Sequence, residues 1–336
     1  MRGTLLMCSD GAMVNESYPR LLGDIGGTNA RFAWQSDTAG RPSDVATYAC
    51  TGHDSLLSAI QHYLAEHRKP RPAACAIGIA NPILGDRVQM TNHHWSFSIA
   101  ELQRSLGVRR LRVINDFTAL ALSLPTLQPT DLRKIGQEGA AVSGAPLAVL
   151  GPGTGLGVSG LLPSGARGFV PVTGEGGHVT LPAQGEYEAA VVGLLAQKFG
   201  HASAERALSG PGLVNLYDAA STLADRKPLT VGPADVIERA RNQADPFCIA
   251  AIDLFCTFLG GVAGNLALTL GARGGVYVGG GLAPRLHAEI ERSAFRERFA
   301  GKGRFREYLA AIPTFIIDTQ TSPALIGAAQ SLDMAD

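Results

Sequence analysis

"LGDIGGTNARFAW", Leu22–Trp34, ends an apolar run at Asp24 and Ile25, turns through Gly26, Gly27, Thr28 and Asn29, and then resumes an alternating pattern. That reads as strand, turn, strand. The glycines have a plain structural explanation, because a hairpin turn asks for positive φ that other residues resist. The acid at the end of the strand is not explained that way. Whether the turn grips a ligand is decided by what else the chain carries.

The chain repeats the device. "PLAVLGPGTGLGVSGLL", Pro146–Leu162, is again strand, glycine turn, strand, and Thr154 stands where Thr28 stands in the first copy. A third cluster, "GGVYVGGGLAPRL", predicts a strand over Val276–Val278 running into Gly279, Gly280 and Gly281 and then a helix. Each cluster alone reads as a turn. Three in this order, two with a threonine, point to a duplicated architecture facing one ligand from two sides. Two common phosphate motifs are excluded. "GLGVSG", Gly155–Gly160, matches G-x-G-x-x-G, but the dinucleotide fingerprint needs a helix next, and "LLPSGARGFV" reads as strand and loop; G-x-x-x-x-G-K-[ST] does not occur. Consecutive amides of a glycine turn converge on phosphate oxygens without either motif, and a threonine hydroxyl adds a donor.

The 336 residues suffice for two domains of ordinary size, and 46% are apolar, so the chain is globular. With 29 basic and 29 acidic residues the formal net charge is zero, and nothing in it draws the protein to nucleic acid or an anionic membrane. A small neutral or self-neutralising substrate fits better. Cys8, Cys50, Cys75, Cys248 and Cys256 are odd in number, scattered and free of C-x-x-C spacing, which fits reduced thiols in the cytoplasm and no zinc site. "MRGTLLMCSDG" imitates a leader poorly: its apolar run is too short for a secretory segment, and the Met before Cys8 is not the small residue that processing wants. Residues 1–19 are expected to form a disordered extension. No window approaches the roughly 20 apolar residues of a membrane span. The final "DMAD" is no peroxisomal address.

Elsewhere strands alternate with helices, the pattern of an α/β protein. Apolar spacing predicts a helix over Ser55–His67, a buried strand over "ACAIGIANPI", Ala74–Ile83, and a helix over Ser98–Leu106, with Ser98 and Glu101 at capping-box spacing. "LRVINDFTALALSL" reads as a strand, an acidic break at Asp116, and a helix from Phe117 that Asp116 is suited to cap. The polar, proline-bearing stretch Pro125–Gly144 has the composition of an interdomain connection.

Seven motifs, "LGDIGGTNARFA", "MTNHHWSFSI", "INDFTA", "GPGTGLG", "GEGGHV", "SAERALSGPGLVNLY" and "GGVYVGGG", together resemble bacterial glucokinases, the hexokinase-like group of the actin-like ATPase superfamily. They occur in family order from about Leu21 to Gly327. The resemblance implies an α/β, two-domain, ribonuclease H-like fold with an active-site cleft between domains. The small domain would be residues 20–126 plus 318–336 and the large one 127–317. It implies ATP-dependent phosphorylation of glucose to glucose 6-phosphate, the first step of glucose entry into glycolysis, by a cytoplasmic homodimer without nucleic-acid or membrane partners.

On the family pattern Asp24, Gly26, Gly27, Thr28 and Asn29 form the first phosphate loop; Gly153, Thr154 and Gly155 form the second; Gly279 and Gly280 approach the adenosine. A carboxylate beside a triphosphate is repelled unless Mg²⁺ stands between, so Asp24 is assigned to the metal, through water; a turn-closing role is its bland alternative. Asp116, following the apolar run Leu111–Ile114, lies at the carboxyl end of a strand, where open α/β sheets place ligands, and is assigned as the catalytic base. Asn115, Asp116, Glu175, His178 and Glu205 match the sugar-binding positions, and such groups complement hexose hydroxyls. Glycines flank Glu175 and precede His178, which lets backbone approach a ring. His93, His94 and His201 are expected to be structural. A metal trio of Glu175, His178 and Glu205 has no common ligand spacing. The related repressors and sugar kinases carry a cysteine-rich zinc signature near the sugar-binding glutamate, and "HASAERALSGPG" has no cysteine. A regulator would also want about 60 further residues for a DNA-binding module. The helical, apolar segment "FCIAAIDLFCTFLGGVAGNLALTL" is expected to serve mostly as core, with a dimer interface as the alternative.

Overall fold

The computed structural model describes residues 17–334 apart from 39, 91, 92, 138, 166 and 167; most of the N-terminal extension and part of "MTNHHWSFSI" lie outside the described residues. The chain divides into two compact units. One holds the chain through Leu127 together with Gln320 onward, and the other holds Gln128–Thr319.

The first unit is built on a five-stranded sheet. β1 (Arg20–Ile25) pairs antiparallel with β2 (Asn29–Gln35), and β2 pairs antiparallel with β3 (Ser43–Ala49). On the other side of β1, β4 (Ala74–Ile79) runs parallel to it, while β5 (Arg87–Gln89) and β6 (Ser96–Ser98) form a separate hairpin and β7 (Arg110–Asn115) continues the parallel set beyond β4. Parallel neighbours need crossovers, which α1 (Leu56–Glu66) and α2 (Ile99–Leu106) supply. α1 starts one residue after the predicted Ser55, which is its cap: Ser55 and Ser58 exchange the reciprocal capping bonds. In α2 only half of the box forms, since the Ser98 hydroxyl accepts from the Glu101 N–H and gives its own proton to Asp86. β4 is buried along its whole length, as a central parallel strand should be, and ends at Ile79 rather than at Ile83, because Asn81 and Pro82 cannot continue it.

One face of this sheet packs against α1 and α2 through Phe32, Tyr63, Trp95 and Leu102. β7 leads directly into α3 (Asp116–Ser123). The cap of α3 is Asn115, whose side-chain oxygen accepts from the N–H groups of Phe117 and Thr118, so the helix begins one residue earlier than its acidic break suggests.

The second unit contains a six-stranded sheet, ordered β11, β10, β9, β12, β13, β8. Its strands are β8 (Leu132–Ile135), β9 (Leu147–Pro152), β10 (Leu156–Pro163), β11 (Phe169–Val172), β12 (Gly275–Val278) and β13 (Thr314–Ile317). β8 lies inside the stretch whose composition suggested a mere connection. With the sequence "LRKI" it is a short edge strand, only Ile135 fully buried, and such a strand leaves no apolar pattern to read. Helices α4 (Glu186–Phe199), α5 (Gly210–Leu223), α6 (Pro233–Asn242) and α7 (Pro246–Leu270) follow β11. α7 corrects the expectation that no stretch is apolar enough to span a bilayer: its length and hydropathy of 1.9 qualify, yet 72% of that window is buried inside the protein. Phe255, Phe258 and Leu259 anchor the main core there. The helix expected straight after Gly281 is replaced by turns up to Leu286, then by short α8 (His287–Arg292), α9 (Phe295–Ala300) and α10 (Arg306–Ala310).

After β13 the chain returns to the first unit as α11 (Pro323–Ser331), which covers the second sheet face through Leu325, Ala328 and Ala329 against Leu22, Ala33 and Ala76. It also packs on α3 so closely that a Cβ on Gly327 would lie 1.6 Å from the Ala119 carbonyl oxygen.

Candidate active site

In the first unit Asp24 is the fifth residue of β1 and pairs in register with Gly78 of β4, which pairs in turn with Ile114 of β7. Asp116 follows two residues later. Asp24 and Asp116 therefore both sit at the carboxyl edge of the parallel strands, with β4 between them and strand axes about 10 Å apart. Gly26, Gly27 and Thr28 form the β1–β2 turn, closed by the Gly26 N–H to the Asn29 carbonyl at 2.9 Å, and Thr28 and Asn29 are exposed. The structural explanation of Gly26 fails here. Its φ is not positive, and an added Cβ would meet its nearest atom, the Asn29 oxygen, at an ordinary 3.6 Å. The fold tolerates a side chain at Gly26; a ligand lying on the turn would not.

Asp24 has two donors, both on one oxygen. Arg31 Nη1 and the Ser322 hydroxyl reach Oδ2 at 3.0 and 2.7 Å. Arg31 lies within the first motif but has no role assigned there, and Ser322 lies in none of the seven. Arg31 was recoverable, because the hairpin register sets it directly opposite Asp24, and opposite charges pair across strands. Ser322 was not, since nothing local ties it to a residue in β1. Oδ1 has no hydrogen bond among the described residues, and the carboxylate is one-fifth exposed. That arrangement suits a single protein carboxylate contributing to a hydrated Mg²⁺ whose other ligands are phosphates and water. Among the described residues no group of three or more His, Cys, Asp and Glu has metal-holding geometry.

Asn115 spends its side-chain oxygen on the α3 cap, which leaves its amide NH₂ as a donor. Asp116 Oδ1 also accepts from the Phe117 N–H at 2.9 Å, which fixes the carboxylate at the helix start.

In the second unit Leu156 is the meeting point. It opens β10 immediately after the turn Gly153–Thr154–Gly155, where the Gly153 N–H donates to the Gly155 carbonyl. Its own N–H donates to Glu205 Oε2 at 2.8 Å. A Cβ on Gly155 would lie 2.4 Å from that same oxygen. The Leu156 carbonyl lies against Gly177, where a Cβ would approach within 2.0 Å, so the Glu175–His178 turn rests on β10. That turn is tied to the Glu205 segment by the Ala204 N–H to the Val179 carbonyl and by His201 Nε2 at the His178 carbonyl oxygen. Glu175, His178, Glu205 and the second glycine turn are thus brought together. His201 is a brace for His178.

Gly153 has nothing within 4 Å of where a Cβ would go and, like Gly26, no positive φ. Its carbonyl accepts the N–H of Gly210 at the start of α5, which places a helix N-terminus beside the turn. Ser209 caps α5 by accepting from the Gly212 N–H and donates to the Glu205 carbonyl, anchoring Glu205 from behind. Gly279 donates to the Leu150 carbonyl, which joins the third cluster to β9. Gly280 has a structural reason to be glycine: its φ is 77° and a Cβ would meet the Pro152 oxygen at 2.4 Å.

The sequence pattern of the glucokinase family matches residues 21–335. A glucokinase from Aromatoleum aromaticum is 53% identical over 322 residues, 96% of this chain and 96% of that one. A glucokinase crystal structure from an Antarctic psychrotroph superposes with a TM-score of 0.85 at 35% identity, covering 94% of this chain and 98% of that chain. A ROK-family glucokinase from Streptomyces griseus, solved with glucose and AMPPNP, shares the fold at a TM-score of 0.64 and 21% identity, covering 94% and 99%. The two sheets, each with a glycine hairpin feeding a parallel set, form the actin-like ATPase fold. From its motifs, its fold and these matches, the chain belongs to the glucokinase family.

Proposed function

We propose that this chain transfers the γ-phosphoryl group of ATP to the 6-hydroxyl of glucose through the residues described above. The observation that carries the assignment is the convergence on Leu156, where one residue follows a bare glycine turn, holds Glu205 by its N–H, and seats the Glu175–His178 turn at its carbonyl. Polar groups matched to a hexose and amides matched to phosphate are thereby built on one strand.

Asp116 accepts the 6-hydroxyl proton as the oxygen forms its bond to the γ-phosphorus and the bond to the ADP oxygen breaks. The transition state is largely dissociative, so orienting the oxygen matters more than removing its proton beforehand, and base assistance is worth about 10² to 10⁴ in rate. Asn115, Glu175, His178 and Glu205 bind the remaining hydroxyls. Thr28, Thr154 and the amides of Gly27, Asn29 and Gly155 receive the phosphates, Gly26 and Gly153 close the two turns with their own N–H groups and offer bare backbone for the close approach, and Gly279 and Gly280 lie along the adenosine. Mg²⁺ bound with ATP and held through water by Asp24 would neutralise phosphate charge. Dependence on ATP and four buried, unpaired cysteines among the described residues support a cytoplasmic location. The product would enter glycolysis. The family resemblance supports a homodimer.

A coupled assay of a sugar panel with ATP tests the reading. Glucose should be preferred, and Asp116→Asn should keep glucose binding while kcat falls about 10² to 10⁴-fold. Near-normal kcat in that variant would remove Asp116 from its role, and binding without turnover in the parent protein would make it a sugar sensor.

A further inference from the structure

Ser322 occupies the N-cap position of α11, with Pro323 following as the first helical residue. Serine there ordinarily accepts from an N–H of the first turn. This one makes no side-chain cap bond, and its hydroxyl proton goes to Asp24 Oδ2 at 2.7 Å. The second donor to that oxygen, Arg31 Nη1, comes from β2 and is itself held by Nε to the Thr47 hydroxyl at 3.3 Å. Two donors from different elements fix the plane of the carboxylate, leaving Oδ1 as the oxygen with no bond among the described residues.

We propose that Ser322 is a positioning residue for the nucleotide-metal site: with Arg31 it pins Asp24 Oδ2, so that Oδ1 is presented to the water shell of the divalent cation that accompanies ATP. The inference rests on the reading of Asp24 as the metal carboxylate. The two donors divide the task. Arg31 balances the charge of Asp24, so the carboxylate does not repel phosphate outright. Ser322 adds direction without charge, and it does so from a helix packed against α3, the helix that carries Asp116. α11 therefore steadies the carboxylates at both ends of the proposed transfer.

The test measures binding of Mn²⁺ with a nonhydrolysable ATP mimic to the glucose-loaded protein, by calorimetry and by the Mn²⁺ electron paramagnetic resonance signal. The variants are Ser322→Ala, Ser322→Thr and Asp24→Asn. Ser322→Ala should weaken the metal-nucleotide complex about 10-fold, with glucose affinity and the unfolding midpoint unchanged. Ser322→Thr, which keeps the hydroxyl, should stay within about twofold of the parent protein. Parent-like affinity in Ser322→Ala, with Asp24→Asn weakened, overturns the positioning role alone. Parent-like affinity in Asp24→Asn overturns the reading of Asp24 beneath it. A parallel loss of glucose affinity and unfolding midpoint in Ser322→Ala also overturns the proposal, because it marks Ser322 as a structural helix start.

Discussion

Glu205 and Gly155 share one place: the Glu205 carboxylate stands where a Gly155 side chain would be, 2.4 Å from the position of its Cβ, and holds the next residue's N–H at 2.8 Å. A group proposed to read the sugar thus touches the turn proposed to hold phosphate.

Gly155→Ala should therefore displace Glu205 and raise KM for glucose and for ATP together, each by about 10-fold, the worth of a charge-assisted hydrogen bond. Glu205→Gln should separate the two. Its amide oxygen still accepts from Leu156, so KM for ATP should hold while KM for glucose rises. Steady-state kinetics with both substrates varied decides it; an unchanged KM for glucose in Glu205→Gln would place the sugar elsewhere.

Gly327→Ala should destabilise the first unit by about 3 kcal/mol, because the intruding methyl meets backbone, the Ala119 carbonyl, rather than a side chain that can turn away. Scanning calorimetry should show a lowered transition. Activity assayed well below that transition should fall too, since α3 must move and Asp116 begins it. A parent-like thermogram would mean that the two helices part freely.

Arg20 is 2% exposed at the start of β1, and its guanidinium reaches the Ala329 carbonyl and, at 2.5 Å, Asp333. Arg20→Met should cost about 3 kcal/mol in chemical denaturation, because a buried carbonyl loses its donor and an ion pair is broken. Asp333→Asn, whose carboxylate is 60% exposed, should cost under half as much. Equal costs for the two variants would refute this account.

Stability should fall at alkaline pH. Burial pushes the thiols of Cys75 and Cys256 from an ordinary 9.0 up to about 12. Between those values the unfolded chain releases these protons and the folded chain keeps them, so the contribution present below pH 9 is lost as pH rises. Each thiol should remove about 1.4 kcal/mol per pH unit across that window. Urea unfolding at pH 8 to 10.5 measures the slope, and Cys256→Ala should lessen it; an unaltered slope in that variant would exclude the thiol. Alkylation at neutral pH should leave both cysteines unmodified until the protein is denatured.

The elements legible in the sequence are those whose own residues encode them. β4 is a run of apolar residues, α1 has its apolar residues at helical spacing, and both hairpins announce themselves by glycine between strands. β8 was not legible because an exposed edge strand has no hydrophobic face to display, and no helix follows β12 directly because Gly280 is committed to a turn against Pro152. In the candidate site the motif residues could be named, but their purpose in part could not. Gly26 and Gly153 look like turn glycines in sequence, and only the observed φ and the room for a Cβ without a clash separate them from Gly280, which the fold demands. Ser322 and Leu156 act through contacts between distant parts of the chain, which no local pattern encodes.

The return of α11 to the first sheet also sets an order of assembly. Emerging from the ribosome, β1 to α3 are made first, yet the side of their sheet that α3 covers only in part lacks its second helix until the entire second unit has been translated. The earliest-born half is thus the last to be finished, and a stop codon anywhere in the later half strips the earlier one of its lining.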